Sequence, residues 1–242
     1  MTESNYDVSE VSLKAEARRK VTYLMLFAIV MFFAALTSAY IVSKGSANYW
    51  VNIHVPKAFY WSTAFIVASS VFIQLALVMA RRGDTARIPL LLLFTLLLGI
   101  GFTVNQFKGW KQLHDLGYFF SFSKVLEPSG VYGVDYTIEH QGVKLDRVNT
   151  EFFMPDDTAH AKPLNADMED QVNGASQYFY ILTWAHLAHL AGGLIAVLVL
   201  LLRSLRRRYT AAAHVGLWQG TLYWHFLGIL WIYLLSFLMF VH

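Results

Sequence analysis

Three of the nine histidines sit inside long apolar runs, where a side chain capable of chemistry is conspicuous. His186 and His189 fall within Thr183-Trp-Ala-His186-Leu-Ala-His189-Leu-Ala-Gly192-Gly193, and His225 within Leu222-Tyr-Trp-His225-Phe-Leu-Gly-Ile-Leu-Trp231. Neutral imidazole is the commonest metal ligand, so a metal or haem site is one chemistry open to them. The other is a hydrogen bond across a helix interface or to a lipid head group, because a polar ring is costly in hydrocarbon without a partner. A spacing of i, i+3 puts His186 and His189 on one helix face. A bis-histidine haem needs ligands at matching depth on facing helices, and His225 is expected nearer the inner surface than the other two. The two runs also lack a carboxylate that would orient a ligating imidazole, although a backbone carbonyl could do so. The sequence contains no phosphate-binding loop, nucleophile elbow or zinc signature, so no catalytic residue, bound cofactor or metal ligand is assigned.

The elements that must position these residues are membrane spans. The chain is 56% apolar and 14% charged, against about a quarter charged for an average soluble domain. It has no cysteine, which removes disulfides, iron–sulfur clusters and thiolate metal sites. Crossing a bilayer core takes about 20 apolar residues in a helix. Five stretches meet that demand: Val21–Val42, Ala58–Ala80, Ile88–Phe107, Gln177–Leu202 and Val215–Val241, none containing Asp, Glu, Lys or Arg. The first is longer than the apolar core of a signal peptide, about 7–15 residues, so it is expected to stay as an uncleaved span. Pro89 falls in the first turn of the third, where its missing N–H costs nothing. The fold class expected is an all-α membrane protein with five transmembrane helices.

Basic residues orient it. Lys14, Arg18, Arg19, Lys20, Arg81, Arg82, Arg87, Arg203, Arg206, Arg207 and Arg208 all fall on one side, and the short loop opposite carries only Lys44 and Lys57. The positive-inside rule then makes the N-terminus cytoplasmic and the C-terminus outside. Arg81, Arg82 and the Arg206–Arg208 cluster are topology signals first and anionic-lipid contacts second. Tyr49, Trp50, Tyr60 and Trp61 are expected at the outer interface. The chain divides into a cytoplasmic segment 1–20, spans 21–107, an extracytoplasmic loop 108–176 and spans 177–242. Eleven acidic residues outnumber six basic ones in that loop. Val131–Ile138 and Val143–Val148, separated by Glu139-His-Gln-Gly142, alternate as a β-hairpin should. The loop is too small for a core of its own and is expected to lie against the spans or a neighbour. Basic residues gather at span ends rather than on one face, which counts against nucleic acid as a partner.

Ala185, Ala188, Ala191, Gly192 and Gly193 form a strip suited to close helix packing. Gln106 is expected to hydrogen-bond between helices or at the interface, and Trp218, Trp224 and Trp231 to pack or anchor.

Three patches together resemble cytochrome c oxidase subunit III of the haem–copper oxidase family. Span four resembles Thr-Gly-x-His-Gly-x-His-Val-x-x-Gly through Thr183, His186, His189 and Gly192. Span five resembles Glu-…-Tyr-Trp-His-Phe-Val-Asp-x-x-Trp through His214, Gly216, Tyr223, Trp224, His225, Phe226 and Trp231. Span three resembles Leu-Gly-x-x-Phe-x-x-x-Gln-x-x-Glu-Trp through Leu98, Gly99, Phe102, Gln106 and Trp110, and Val30–Tyr40 of span one fits more loosely. The departures are systematic. The family's membrane carboxylates align with Ile29, Gly109, Trp218 and Gly228, so the aromatic and histidine frame remains without the acids.

The resemblance implies a non-catalytic subunit of a respiratory oxidase in a bacterial inner membrane. It would pack against subunit I beside subunit II, with haem and copper in those partners and phospholipid between its own helices. Its role would be to support sustained proton-coupled reduction of dioxygen. On that reading His186, His189, His225, Trp224, Trp231, Arg81 and Gln106 are lipid or helix-interface residues. The acidic loop would meet a basic c-type cytochrome or another respiratory complex. Two other readings stay open: a histidine-ligated, cytochrome b-like electron carrier, and a small transporter, against which the acid-free spans count.

Overall fold

The computed structural model describes the backbone of residues 3–120, 123–206, 209 and 214–241, and side chains from Leu13 onward except that of Lys14. Arg207 and Arg208 of the expected basic cluster lie outside the described residues. Helix α1 spans Glu3–Ser46, followed by strand β1 (Tyr49–Ile53), α2 (Lys57–Arg81) and α3 (Ile88–Asp115). Four short strands come next: β2 (Tyr136–His140), β3 (Val143–Lys144), β4 (Asp146–Val148) and β5 (Glu151–Phe153). The one-turn α4 (Asn165–Met168) precedes the long helices α5 (Gly174–Leu205) and α6 (Val215–Phe240). Among the described residues, α1, α2, α3, α5 and α6 are long and apolar enough to cross a membrane. The chain is a multi-pass membrane protein.

Local chemistry sets the helix ends. Past α2, Gly83 takes a φ of 77°, its N–H bonds Ala80 O, and Asp84 N–H reaches back to Met79 O. That is a Schellman stop, and the left-handed residue it needs is most cheaply glycine. Past α3 the same motif recurs at Gly117, with φ 85°, Gly117 N–H on His114 O and Tyr118 N–H on Leu113 O. A Cβ at Gly117 would also come within 2.6 Å of Glu127 O. Helix α3 therefore runs on through Asp115, eight residues past the expected end of span three, because nothing in Lys108–Asp115 breaks it.

The contacts divide into two compact units. The first comprises Met1–Ala34, Ala64–Gly101 and Ala188–Leu230. Its core holds Phe33, Ile66, Ile73, Leu92, Leu190, Trp224 and Leu227. The second comprises Ala35–Thr63, Phe102–Leu187 and Trp231–His242. In it Tyr40, Phe59, Phe102, Tyr118, Phe179 and Trp231 are fully buried.

The second unit carries the strands. Strand β1 pairs antiparallel with β2, Val51 opposite Ile138, and β2 pairs with β3, Glu139 opposite Lys144. The β2–β3 turn is Gln141-Gly142, both at positive φ (48° and 83°), the two-residue geometry that matches strand twist. These arms differ from the alternating stretches read in the sequence. Val131–Asp135 forms a turn, in which Asp135 accepts the Val131 N–H at 2.7 Å. Asp146–Val148 pairs instead with Glu151–Phe153. Tyr49 and Trp50, expected at the membrane interface, are buried in β1, whereas Tyr60 and Trp61 are exposed. Tyr180 donates to Tyr118 O at 2.9 Å and Ser176 to Phe119 O at 2.8 Å, tying the loop to the start of α5.

A small loop carries a pH-sensitive cap. Asp157 accepts backbone N–H bonds from Lys162 at 2.9 Å and Ala161 at 3.2 Å. These two donors, Lys162 first, hold its carboxyl below the ordinary carboxylate range. A depressed folded-state pKa contributes stability above the unfolded value, about 3.9, and loses it as pH falls through the lower folded value. Amide exchange at Ala161 and Lys162, corrected for intrinsic rate, is expected to stay slow down to about pH 4 and to accelerate below it. Equal protection at pH 7 and in strong acid would remove the cap.

Candidate functional site

In the second unit the singled-out residues form one aromatic cluster. His186 on α5 is 1% exposed. Its ring lies 5.3 Å from Trp231 of α6 and 5.9 Å from Phe102 of α3, and those two rings meet edge-on at 5.1 Å. Trp231 donates its indole N–H to Thr63 Oγ1 of α2 at 2.9 Å. Gln106 lies one turn beyond Phe102 on α3, almost fully buried, and neither atom of its side-chain amide has a hydrogen-bond partner among the described residues. One turn further, Trp110 donates to Thr183 Oγ1 at 3.0 Å and stacks on Trp184 at 4.6 Å. Gly109 permits this packing, because a Cβ there would stand 2.7 Å from the Phe59 ring.

Thr183 Oγ1 accepts from Trp110 while donating to Phe179 O at 2.8 Å. Thr183→Val keeps the shape and strands the buried indole N–H, at a cost of about 1–3 kcal/mol. A lower thermal midpoint of the detergent-purified chain is expected, with Thr183→Ser close to native. An unchanged midpoint in Thr183→Val would show that the indole finds another acceptor.

In the first unit the residues are separated by role. His189 rests its ring on Phe33 at 5.5 Å and Phe32 at 6.0 Å, and its backbone carbonyl accepts the Tyr223 hydroxyl at 3.0 Å. Trp224 is fully buried and donates to Ser69 Oγ at 2.9 Å. His225 is half-buried, with Nε2 3.1 Å from Gln74 Oε1. Arg81 is exposed at the end of α2. Of the expected packing strip in this unit only Gly193 is buried, against Trp224 and Leu227, while Ala188, Ala191 and Gly192 are exposed. Among the described residues no group of three His, Cys, Asp or Glu side chains could hold a metal ion.

The sequence reading missed a groove in the same unit. It is about 360 Å³ in volume, lined by Thr22 and Met25 of α1, Val199 and Leu200 of α5, and Gln219 and Tyr223 of α6. Its walls are mostly apolar, with one polar end. There Gln219 donates to Thr22 Oγ1 at 2.8 Å and to Arg18 O at 3.1 Å. The Arg19 guanidinium lies 5.3 Å over the neighbouring Trp218 ring. Arg18, Arg19 and Trp218 gave a partial signal in the sequence, but nothing local linked them to Gln219.

Comparison with known proteins locates this frame. The sequence profile of the family described as cytochrome c oxidase subunit III matches residues 162–241, the stretch that holds every motif residue of α5 and α6. A probable cytochrome c oxidase subunit 3 of Nocardia farcinica is 27% identical over 229 residues, covering 91% of this chain and 86% of its own. Cytochrome c oxidase subunit 3 of Corynebacterium diphtheriae is 26% identical over 218 residues, 87% of this chain and 82% of its own. The chain is similar to cytochrome c oxidase subunit III proteins over most of its length. The subunit 3 of a Synechocystis species is 40% identical over a shorter 57-residue match, 23% of this chain and 24% of its own. Aromatic positions that resemble the family pattern make hydrogen bonds between helices. Trp224 and Trp231 each bridge to an α2 hydroxyl, and Thr183 receives Trp110.

Proposed function

We propose that this chain is the non-catalytic subunit III of a respiratory haem–copper oxidase in a bacterial inner membrane. The observation that carries the reading is similarity to subunit III proteins over about nine-tenths of the chain. The N-terminus is cytoplasmic, the C-terminus and the acidic loop lie outside, and the segments divide at 20, 107 and 176. Haem and copper belong to partner subunits I and II, and subunit I is the main contact. Electrons come from a c-type cytochrome, and the product is water. The chain's own contribution is to hold lipid and helix interfaces so that turnover is sustained. His186, Gln106 and Trp231 serve the interior. His189, His225, Trp224 and Arg81 serve helix or lipid contacts, and the α1–α5–α6 groove holds an acyl chain with Arg18 and Arg19 near its head group. The acidic loop meets a basic cytochrome or a neighbouring respiratory complex.

The test is purification in gentle detergent through an N-terminal tag, with an optical spectrum and mass spectrometry of the eluate. Co-elution of a large haem- and copper-bearing subunit, with the separated chain colourless, supports the reading. A haem carried by the isolated chain would overturn it. His189→Leu is expected to shorten the lifetime of turnover at least severalfold while leaving the oxidase haem spectrum intact. A lost haem band in that variant would make the histidine a ligand.

A further inference from the structure

Gln74 is the only amide or charged side chain between the basic ends of α2. It is exposed, and it hydrogen-bonds His225 across the α2–α6 seam at 3.1 Å. The seam is held on both sides of the pair: the adjacent Trp224 bonds Ser69, and a Cβ built at Gly228 would stand at ordinary contact distance, 3.5 Å from Ser70 and 3.6 Å from Ile66. Gln74 lies seven residues inside Arg81, about 10 Å along the helix at 1.5 Å per residue. His225 lies ten residues inside the start of α6, about 15 Å by the same measure. Both are too deep for a head group. Val71, Leu75 and Ile229 around them are exposed and apolar. A second such pair among the described residues of this unit, Gln219 with Thr22, lies only four residues inside the start of α6, at head-group depth. Val21, Leu24, Phe27 and Met31 on α1, and Leu90, Leu93, Phe94 and Leu97 on α3, are apolar throughout.

With Oε1 accepting from His225, the Gln74 amide keeps two N–H donors. Lipid tails offer no acceptor, and a donor left unpaired in hydrocarbon is costly. We infer that the α2–α6 face around Gln74 and His225 is where this chain docks on the catalytic subunit. The occupant is a transmembrane helix presenting a hydrogen-bond acceptor to Gln74 at that depth. This rests on the oxidase reading, which supplies the membrane partner.

The chain has no cysteine, so single-cysteine variants report cleanly. Val71→Cys and Ile229→Cys, with Phe27→Cys and Leu97→Cys for comparison, are labelled in native membranes with a photoreactive maleimide. Irradiation and tag purification follow. Adducts from positions 71 and 229 are expected on a membrane segment of the large haem-bearing subunit, with lipid adducts from 27 and 97. Gln74→Leu adds a test of sign. At a lipid-facing site it leaves co-purification unchanged or improves it, whereas at a docking face it lowers recovery of the haem-bearing subunit about fivefold. A native chain that brings down no haem-bearing subunit overturns the oxidase reading and this inference with it. Recovery of that subunit with its adducts only from positions 27 or 97, adducts only to a second copy of this chain, or undiminished recovery with Gln74→Leu overturns the inference alone.

Discussion

Gly99→Leu is expected to leave almost no folded chain. A Cβ at Gly99 would stand 2.7 Å from both Leu194 Cδ2 of α5 and Trp224 Cη2 of α6. Trp224 cannot give way, because it is fully buried and its indole is tied to Ser69. Overpacking a core costs about 1–3 kcal/mol where neighbours can relax, and a side chain of four added carbons at a blocked position belongs beyond that range. Fluorescence-detected size-exclusion chromatography of the detergent extract should show loss of the monodisperse peak. Gly45→Ala provides the contrast, since a Cβ there meets nothing within 4 Å. A native-like peak from Gly99→Leu would mean that the helices separate more easily than the contacts around Trp224 imply.

Trp224→Ala approaches the same centre by removal. It deletes a fully buried indole that packs on Gly99 and Gly193 and satisfies Ser69. Large-to-small changes of this kind cost about 3–5 kcal/mol. The hydrogen bond accounts for about 1 kcal/mol of that. Trp224→Phe should therefore recover most of the loss and Ser69→Ala should cost little, as read from thermal midpoints in one detergent. If Ser69→Ala proves as damaging as Trp224→Ala, the serine rather than the ring volume holds the seam.

The spans were legible in the sequence because crossing a bilayer needs a run of apolar residues that no other element imitates. The Schellman stops at Gly83 and Gly117 only sharpen their edges. The motif residues on α5 and α6 were legible through resemblance. Their partners were not. Ser69, Thr63 and Gln74 lie on α2, where a hydroxyl ordinarily bonds a carbonyl of its own preceding turn. Ser69 does so to Ile66 O at 2.7 Å and also accepts from Trp224. Sequence spacing cannot say which helix a hydroxyl faces. Strand β1 was hidden for a different reason. Tyr-Trp-Val-Asn-Ile between two spans has the composition of an interfacial aromatic belt, and its pairing partner is 87 positions away where Val51 meets Ile138.

That long-range ladder imposes an order on biogenesis. Strand β1 is synthesised between the first two helices, but the strand it pairs with emerges only after α3 has been inserted. Until then Val51 and Ile53 lack their cross-strand neighbours, and the connection between α1 and α2 is a nascent edge open to a chaperone or to misassembly. The step that closes this sheet therefore waits on synthesis of the α3–α5 connection. A ribosome stalled just short of residue 136 would hold a chain that has α1, β1, α2 and α3 in its sequence but not the strand that β1 pairs with.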